Sequence, residues 1–376
     1  MKVAIVSVFE ESVPPLKYGG TEWIIYEIAK GLGMKGHQID LYASGDSKKH
    51  PAYNLIPVIE KSIRTSPEYG TDMKIRDSKK LLVYSQFVPF LDEKKYDIIH
   101  NHAVWRFLLF SNRLATPFVT THHGPLSFTY QNIIYEAYKN RPYISISKNQ
   151  KRDFPDLNWI DTVYNGTDIN TFQYAEEKYK ESDPYMFLLA RLSPEKGAIE
   201  AAQVAIKTKR KLKVAAKTDI ADTLYINKFN EFIDGKTVEF LGEKGMPDKM
   251  HLLQGARFLI APVSWEEPFG LYFTESLACG TPVVAYARGA APEIIEDGKT
   301  GFLVNYSDEM KRGDFIIKKS GIEGLCEAVE TMYNLTEKEY IQMRKNSRRR
   351  VEEQFSIEKM INGYENAYKK ILSNTR

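Results

Sequence analysis

Residues 1–43, MKVAIVSVFEESVPPLKYGGTEWIIYEIAKGLGMKGHQIDLYA, decide the fold class. Val3–Val8 is a short run rich in β-branched residues, the pattern of a strand covered on both faces. A loop with Pro14, Pro15, Gly19 and Gly20 follows it. From Gly20 or Thr21, the apolar residues Trp23, Ile24, Ile28 and Leu32 recur at helical spacing up to Gly33 or Gly36. Ile39–Ala43 then reads as a second strand. Strand, helix and strand make a βαβ unit, which implies a parallel sheet with right-handed crossovers.

The alternation continues outward from there. Ile98–His100, Phe118–Thr121 and Tyr143–Ser147 read as further strands. At VYNGTDINTF, residues 163–172, the turn signal Asn165-Gly166 marks the expected interdomain hinge. Strand-like runs restart at Tyr185–Leu189, Lys213–Ala216, Val238–Leu241, Phe258–Pro262 and Val283–Ala285, with helices at Ala198–Thr208 and Leu271–Ala278. The fold class expected is α/β, with two Rossmann-like domains facing a cleft. Ligands of such sheets sit at the carboxyl ends of the strands.

Composition bounds the function. The chain has 376 residues, more than one hydrophobic core usually serves, so two domains are expected. A net charge of +3 is too weak to argue for nucleic acid as a partner. Two cysteines, Cys279 and Cys326, build neither a disulfide framework nor a metal cluster, and a reducing compartment is the simplest reading. The N-terminus lacks the apolar region and cleavage site of a secretory signal, and no window approaches 18 uninterrupted apolar residues. A cytoplasmic protein is expected, with peripheral contact at the inner membrane face left open. The basic run Arg344, Lys345, Arg348, Arg349 and Arg350 reads as a solvated helix face, partly compensated by Glu352 and Glu353, with a phosphate or membrane patch as the alternative.

Chemistry concentrates in Ser264–Thr281, SWEEPFGLYFTESLACGT. Glu267 falls on a tight loop after a strand, and Glu275 about one turn into the following helix. The loop and helix start, Phe269, Gly270 and Leu271, offer backbone N–H groups and a positive dipole end to a diphosphate. A carboxylate near that helix start suits ribose hydroxyls, and the one on the loop is free to meet a sugar ring. Two glutamates alone do not exclude a dipole-complementing Glu275 and a solvated Glu267. In ARLSPEKG, residues 190–197, Arg191 and Lys196 lie five apart on a loop and can converge on one diphosphate.

EPFG, ESLACGTPVVA and GAAPEIIEDGKTGFLV, within residues 267–304, resemble the donor-binding half of the retaining glycosyltransferase family 4, which has the GT-B fold. The resemblance covers most of the chain and is strongest over 183–305. It implies an acceptor-side domain over 1–165, a nucleotide-sugar domain over 166–356, and a last helix, about 357–376, crossing back to the first. It implies that Glu275 binds the donor ribose, that Glu267 faces the transferred sugar, and that Arg191 and Lys196 hold the diphosphate. In YGGTEW, residues 18–23, Gly19 and Gly20 would pack against the donor phosphates, and Trp23 stands where relatives often carry Arg.

In TTHHG, residues 120–124, the family places one histidine, and the spacing favours His123 over His122. His100 and His102 lie near another strand end, but no ligand set at metal spacing accompanies the four histidines. Lys217 reads equally as a family position near the donor and as a surface lysine. The expected activity is transfer of a hexose from an NDP-sugar, a UDP-sugar in the first instance, to a hydroxyl acceptor, with no cofactor or metal, by a monomer or homodimer. Lys196→Ala is expected to abolish turnover with little loss of folding. An epimerase, a phosphorylase or a non-catalytic nucleotide-sugar binder is the alternative.

Overall fold

A computed structural model describes residues 1–16, 19–66, 72–127, 129–176 and 183–374. Tyr18 of YGGTEW lies outside the described residues. The chain divides into two compact units, residues 1–166 with 357–376, and residues 167–356.

The first unit carries a seven-stranded sheet. Its strands are β1 (Lys2–Val6), β2 (Gln38–Ser44), β3 (Asn54–Ile59), β4 (Ile98–Asn101), β5 (Phe118–Thr121), β6 (Tyr143–Ser145) and β7 (Trp159–Thr162). They run parallel in the order β3-β2-β1-β4-β5-β6-β7. The order reverses between β1 and β4, which makes their carboxyl ends the switch point of the sheet. β1 stops at Val6 rather than Val8. The two strands of this sheet not legible in the sequence, β3 and β7, are its edges. β3 is half-exposed and contains Pro57, which an edge strand tolerates because one side needs no ladder donor.

Helix α1 (Gly20–Met34) follows the Gly19 loop. A Cβ on Gly19 would lie 2.8 Å from Pro15, so the close approach of the two segments requires glycine there. The chain's last helix, Ile357–Asn374, packs in this unit against α1, where a Cβ on Gly31 would meet Ile361 at 2.6 Å.

The second unit has six parallel strands: β8 (Tyr185–Arg191), β9 (Lys211–Lys217), β10 (Val238–Gly242), β11 (Phe258–Ala261), β12 (Val283–Tyr286) and β13 (Gly301–Val304). Their order is β10-β9-β8-β11-β12-β13. Residues such as Met186, Leu188, Val214, Ile260 and Val284 are fully buried between the helices on the two faces, as a parallel sheet demands.

The basic run departs from the sequence reading. It sits on the helix Glu337–Gln354, opened by a Thr336–Glu339 capping box. Arg344 is wholly buried and donates to the Ala175 carbonyl at 2.8 Å. Arg348 donates to three carbonyls, those of Ile169, Phe172 and Ala278, at 3.2, 2.8 and 3.0 Å. Arg350 donates to the Glu293 carbonyl at 2.8 Å. The run therefore divides: Arg344, Arg348 and Arg350 clamp loop and helix-end carbonyls, and Lys345 and Arg349 stay exposed on the solvated side. Among the described residues, no helix is long and apolar enough to cross a membrane.

Candidate active site

Strands β8 and β11 are neighbours, with Phe258 opposite Met186. The loops that leave their carboxyl ends therefore meet. Ser264 N–H donates to the Glu195 carbonyl at 3.0 Å, and a Cβ on Gly197, at φ +73°, would lie 2.1 Å from the Pro262 carbonyl oxygen. Only glycine fits that approach.

The contact brings Lys196 onto Glu267. The ammonium pairs with Glu267 Oε2, and both residues are more than nine-tenths buried. The same oxygen accepts from Trp265 Nε1 at 3.2 Å and Tyr272 OH at 3.0 Å. Lys196 Nζ also lies 5.0 and 5.3 Å from the Trp265 and Tyr272 ring centres, within cation–π range. Glu267 is therefore not the free loop carboxylate of the sequence reading. Burial of a carboxylate is costly, and the lysine offsets that cost. Lys196→Ala would strand the carboxylate, which corrects the expectation of little effect on folding.

Arg191, at the end of β8, does not converge with Lys196 in this state. It pairs with Glu195 Oε1 at 2.6 Å, its side chain 43% exposed and thus accessible to a ligand. Lys217 ends β9 directly opposite Arg191, and its carbonyl accepts from Leu192 N–H at 2.8 Å.

After the loop, a helix spans Leu271–Ala278, with Gly270 at φ +85° as its N-cap. A Cβ there would meet the Phe273 ring at 2.7 Å and Glu267 Cγ at 3.2 Å. Phe269 is buried with its ring against Phe355. Glu275 lies five residues into the helix and pairs with Lys249 at 2.8 Å, a partner that sequence reasoning missed because it is 26 residues away. The GAAPE loop braces the site from the other side. Ala290 N–H donates to the Glu267 carbonyl at 2.9 Å, and Gly289 N–H to Glu266 Oε2 at 2.8 Å.

In the first unit, adjacent strands β4 and β5 bring the histidines together. His122 Nδ1 accepts from Gly124 N–H at 3.1 Å, and its Nε2 faces Gln131 Oε1 at 3.4 Å. His123 Nε2 lies 2.7 Å from His102 Nδ1. His100 bridges Thr121 Oγ1 at 2.8 Å and Tyr368 OH at 2.6 Å. Burial lowers the pKa of His122 to about 4 and of His123 to about 3, so both are neutral at physiological pH. Gly19 and Gly20 belong to the same unit, at the start of α1. Cys279 is fully buried, and burial pushes its thiol up to about 12, which leaves it unreactive.

Family models account for this arrangement. A Glycosyltransferase Family 4 model matches residues 18–171, and a Glycosyl transferases group 1 model matches residues 170–349. The chain belongs to the family 4-like glycosyltransferases and has their GT-B fold. It is 24% identical to N-acetyl-alpha-D-glucosaminyl L-malate synthase of Bacillus anthracis over 94% of both chains. It is also 24% identical to D-inositol 3-phosphate glycosyltransferase of Mycobacterium avium, over 76% of this chain and 77% of that one. Among solved structures, HepE of Anabaena in complex with UDP and glucose shares the fold, with a TM-score of 0.72 and 18% identity over 98% of this chain and 99% of that one.

Proposed function

We propose that this glycosyltransferase moves a hexose from a UDP-sugar to a hydroxyl acceptor with retention of anomeric configuration. The observation that carries the proposal is the buried Lys196–Glu267 pair, set where the β8 and β11 loops meet and flanked by Arg191. When the sugar–phosphate bond breaks, negative charge grows on the departing diphosphate and positive charge on the anomeric carbon. Lys196 and Arg191 stabilise the first, and Glu267 stabilises the second. Arg191 turns from Glu195 to the diphosphate, a short movement for an exposed side chain. Glu275 accepts from the ribose hydroxyls, and the N–H groups of Phe269, Gly270 and Leu271 serve the diphosphate.

The carboxylates of this loop pair are all engaged: Glu195 with Arg191 and Ser193, Glu266 with Arg288, Arg312 and Gly289 N–H, and Glu267 Oε2 with three donors. A same-face displacement is the mechanism this favours. The acceptor oxygen bonds to the anomeric carbon as the bond to the diphosphate oxygen breaks, and the acceptor proton passes to that leaving oxygen. The uridine assignment draws on the HepE complex, which holds UDP and glucose.

A melting-temperature screen against UDP-, GDP- and ADP-hexoses tests the donor. A ligand bound only by the native state raises the melting temperature. The UDP-sugars are expected to give the largest rise, and Glu275→Ala to erase it. A larger rise with GDP- or ADP-sugars would overturn the uridine assignment.

A further inference from the structure

His102 Nε2 is the unusual atom of the first unit. His102 is fully buried, and among the described residues Nε2 has no hydrogen-bond partner. Among the described residues its Nδ1 faces His123 Nε2, 2.7 Å away, with the two rings edge to edge and their planes 24° apart. On its other face lies His100, 3.9 Å between ring centres, itself held by Tyr368 and Thr121.

Both rings of the His102–His123 pair are neutral, so each carries one N–H and one of them donates across the 2.7 Å contact. A proton on His102 Nε2 would be a buried N–H with no acceptor among the described residues, and would carry the desolvation cost of an unpaired donor. The alternative leaves only a lone pair unused. His102 therefore carries its proton on Nδ1 and donates to His123 Nε2. That leaves Nδ1 as the protonated nitrogen of His123, a residue part-exposed at the carboxyl end of the sheet.

We propose that His102 is a positioning residue, holding His123 in the tautomer whose Nδ1–H offers a hydrogen bond to a substrate hydroxyl and takes no proton from it. The inference deepens the transferase reading above and rests on it for the identity of the hydroxyl. It also removes His123 as a general base, so that the acceptor proton goes to the leaving diphosphate.

His122 supplies the internal contrast. Its Nδ1 accepts from Gly124 N–H, so its proton sits on Nε2, toward Gln131. The two adjacent histidines thus hold opposite tautomers.

Full-length protein labelled with ¹⁵N-histidine answers the question by long-range ¹H–¹⁵N correlation at pH 7, with His123→Asn used to assign the His123 signals. The expected spectrum shows a protonated Nδ1 and a bare Nε2 for His123. A protonated Nε2, or an imidazolium, would overturn the proposal. His102→Leu is expected to let His123 populate both tautomers and to lower kcat about tenfold with KM for UDP-sugar unchanged. An unchanged tautomer in that variant also overturns it. If His102→Leu does not fold, the wild-type spectrum alone decides. A correct tautomer in a protein that transfers no sugar would sink the transferase reading and leave the positioning role intact.

Discussion

On the proposed reading, the buried Lys196–Glu267 pair couples stability to activity. Removing one partner of a buried ion pair costs on the order of 3–5 kcal/mol, because the other charge is left stranded. Lys196→Ala is expected to lose turnover and to unfold at markedly lower urea. The double variant Lys196→Met with Glu267→Gln is expected to recover most of the stability and none of the activity. A double variant as unstable as the single one would show that the pair is not the source of the loss.

Glu22, in the first turn of α1, makes a second residue-scale prediction. Burial raises its carboxyl to about 7 from 4.5, aided by the charges of Glu11 and Glu10 and opposed by backbone N–H donors. The folded chain therefore holds a proton that the unfolded chain releases between those two values. Stability contributed by Glu22 falls as pH rises through that window, by on the order of 3 kcal/mol at pH 8. Glu22→Gln is expected to melt above the wild type at pH 8, with the gap shrinking at pH 5. A gap that widens toward pH 5 would contradict the assignment.

At the scale of elements, the loops after β8, β11 and β12 are fixed by backbone approach rather than by side-chain bulk. Gly289 sits at φ +56°, and a Cβ there would lie 2.2 Å from both Glu267 N and Glu267 O. Gly289→Ala is expected to push the Glu267 loop aside, and a shift of about 1 Å costs about 100-fold in turnover. Steady-state kinetics on the variant check this. Arg348→Ala would strand three carbonyls, and a loss of about 3 kcal/mol in urea unfolding is expected.

The same elements show what the sequence made legible. Alternating apolar runs and helical spacing announced parallel α/β sheets, and the central strands were found close to their true limits. Three edge strands escape the reading: β3 and β7, half-exposed runs of four to six residues with little periodicity, and β13, a buried run of four opened by Gly301. Lys196 and Glu267 could be named as chemistry, but their pairing could not be read. They lie 71 residues apart, and only the strand order that sets β11 beside β8 brings them together. Arg344 and Arg348 misled for the reason opposite to periodicity. A run of charge predicts a wet helix face unless distant carbonyls need donors, and those carbonyls belong to segments 70 to 179 residues away.

For the whole molecule, the central claim is that a cation-held UDP diphosphate leaves while the new bond forms on the same face of the sugar. Retaining transfer has a direct readout that needs no knowledge of the acceptor. In slow hydrolysis of α-linked UDP-glucose, water stands in for the acceptor, and proton NMR at early times reads the anomer released before mutarotation. α-Glucose is expected as the first product, at a rate that Lys196→Ala abolishes. β-glucose appearing first would contradict it.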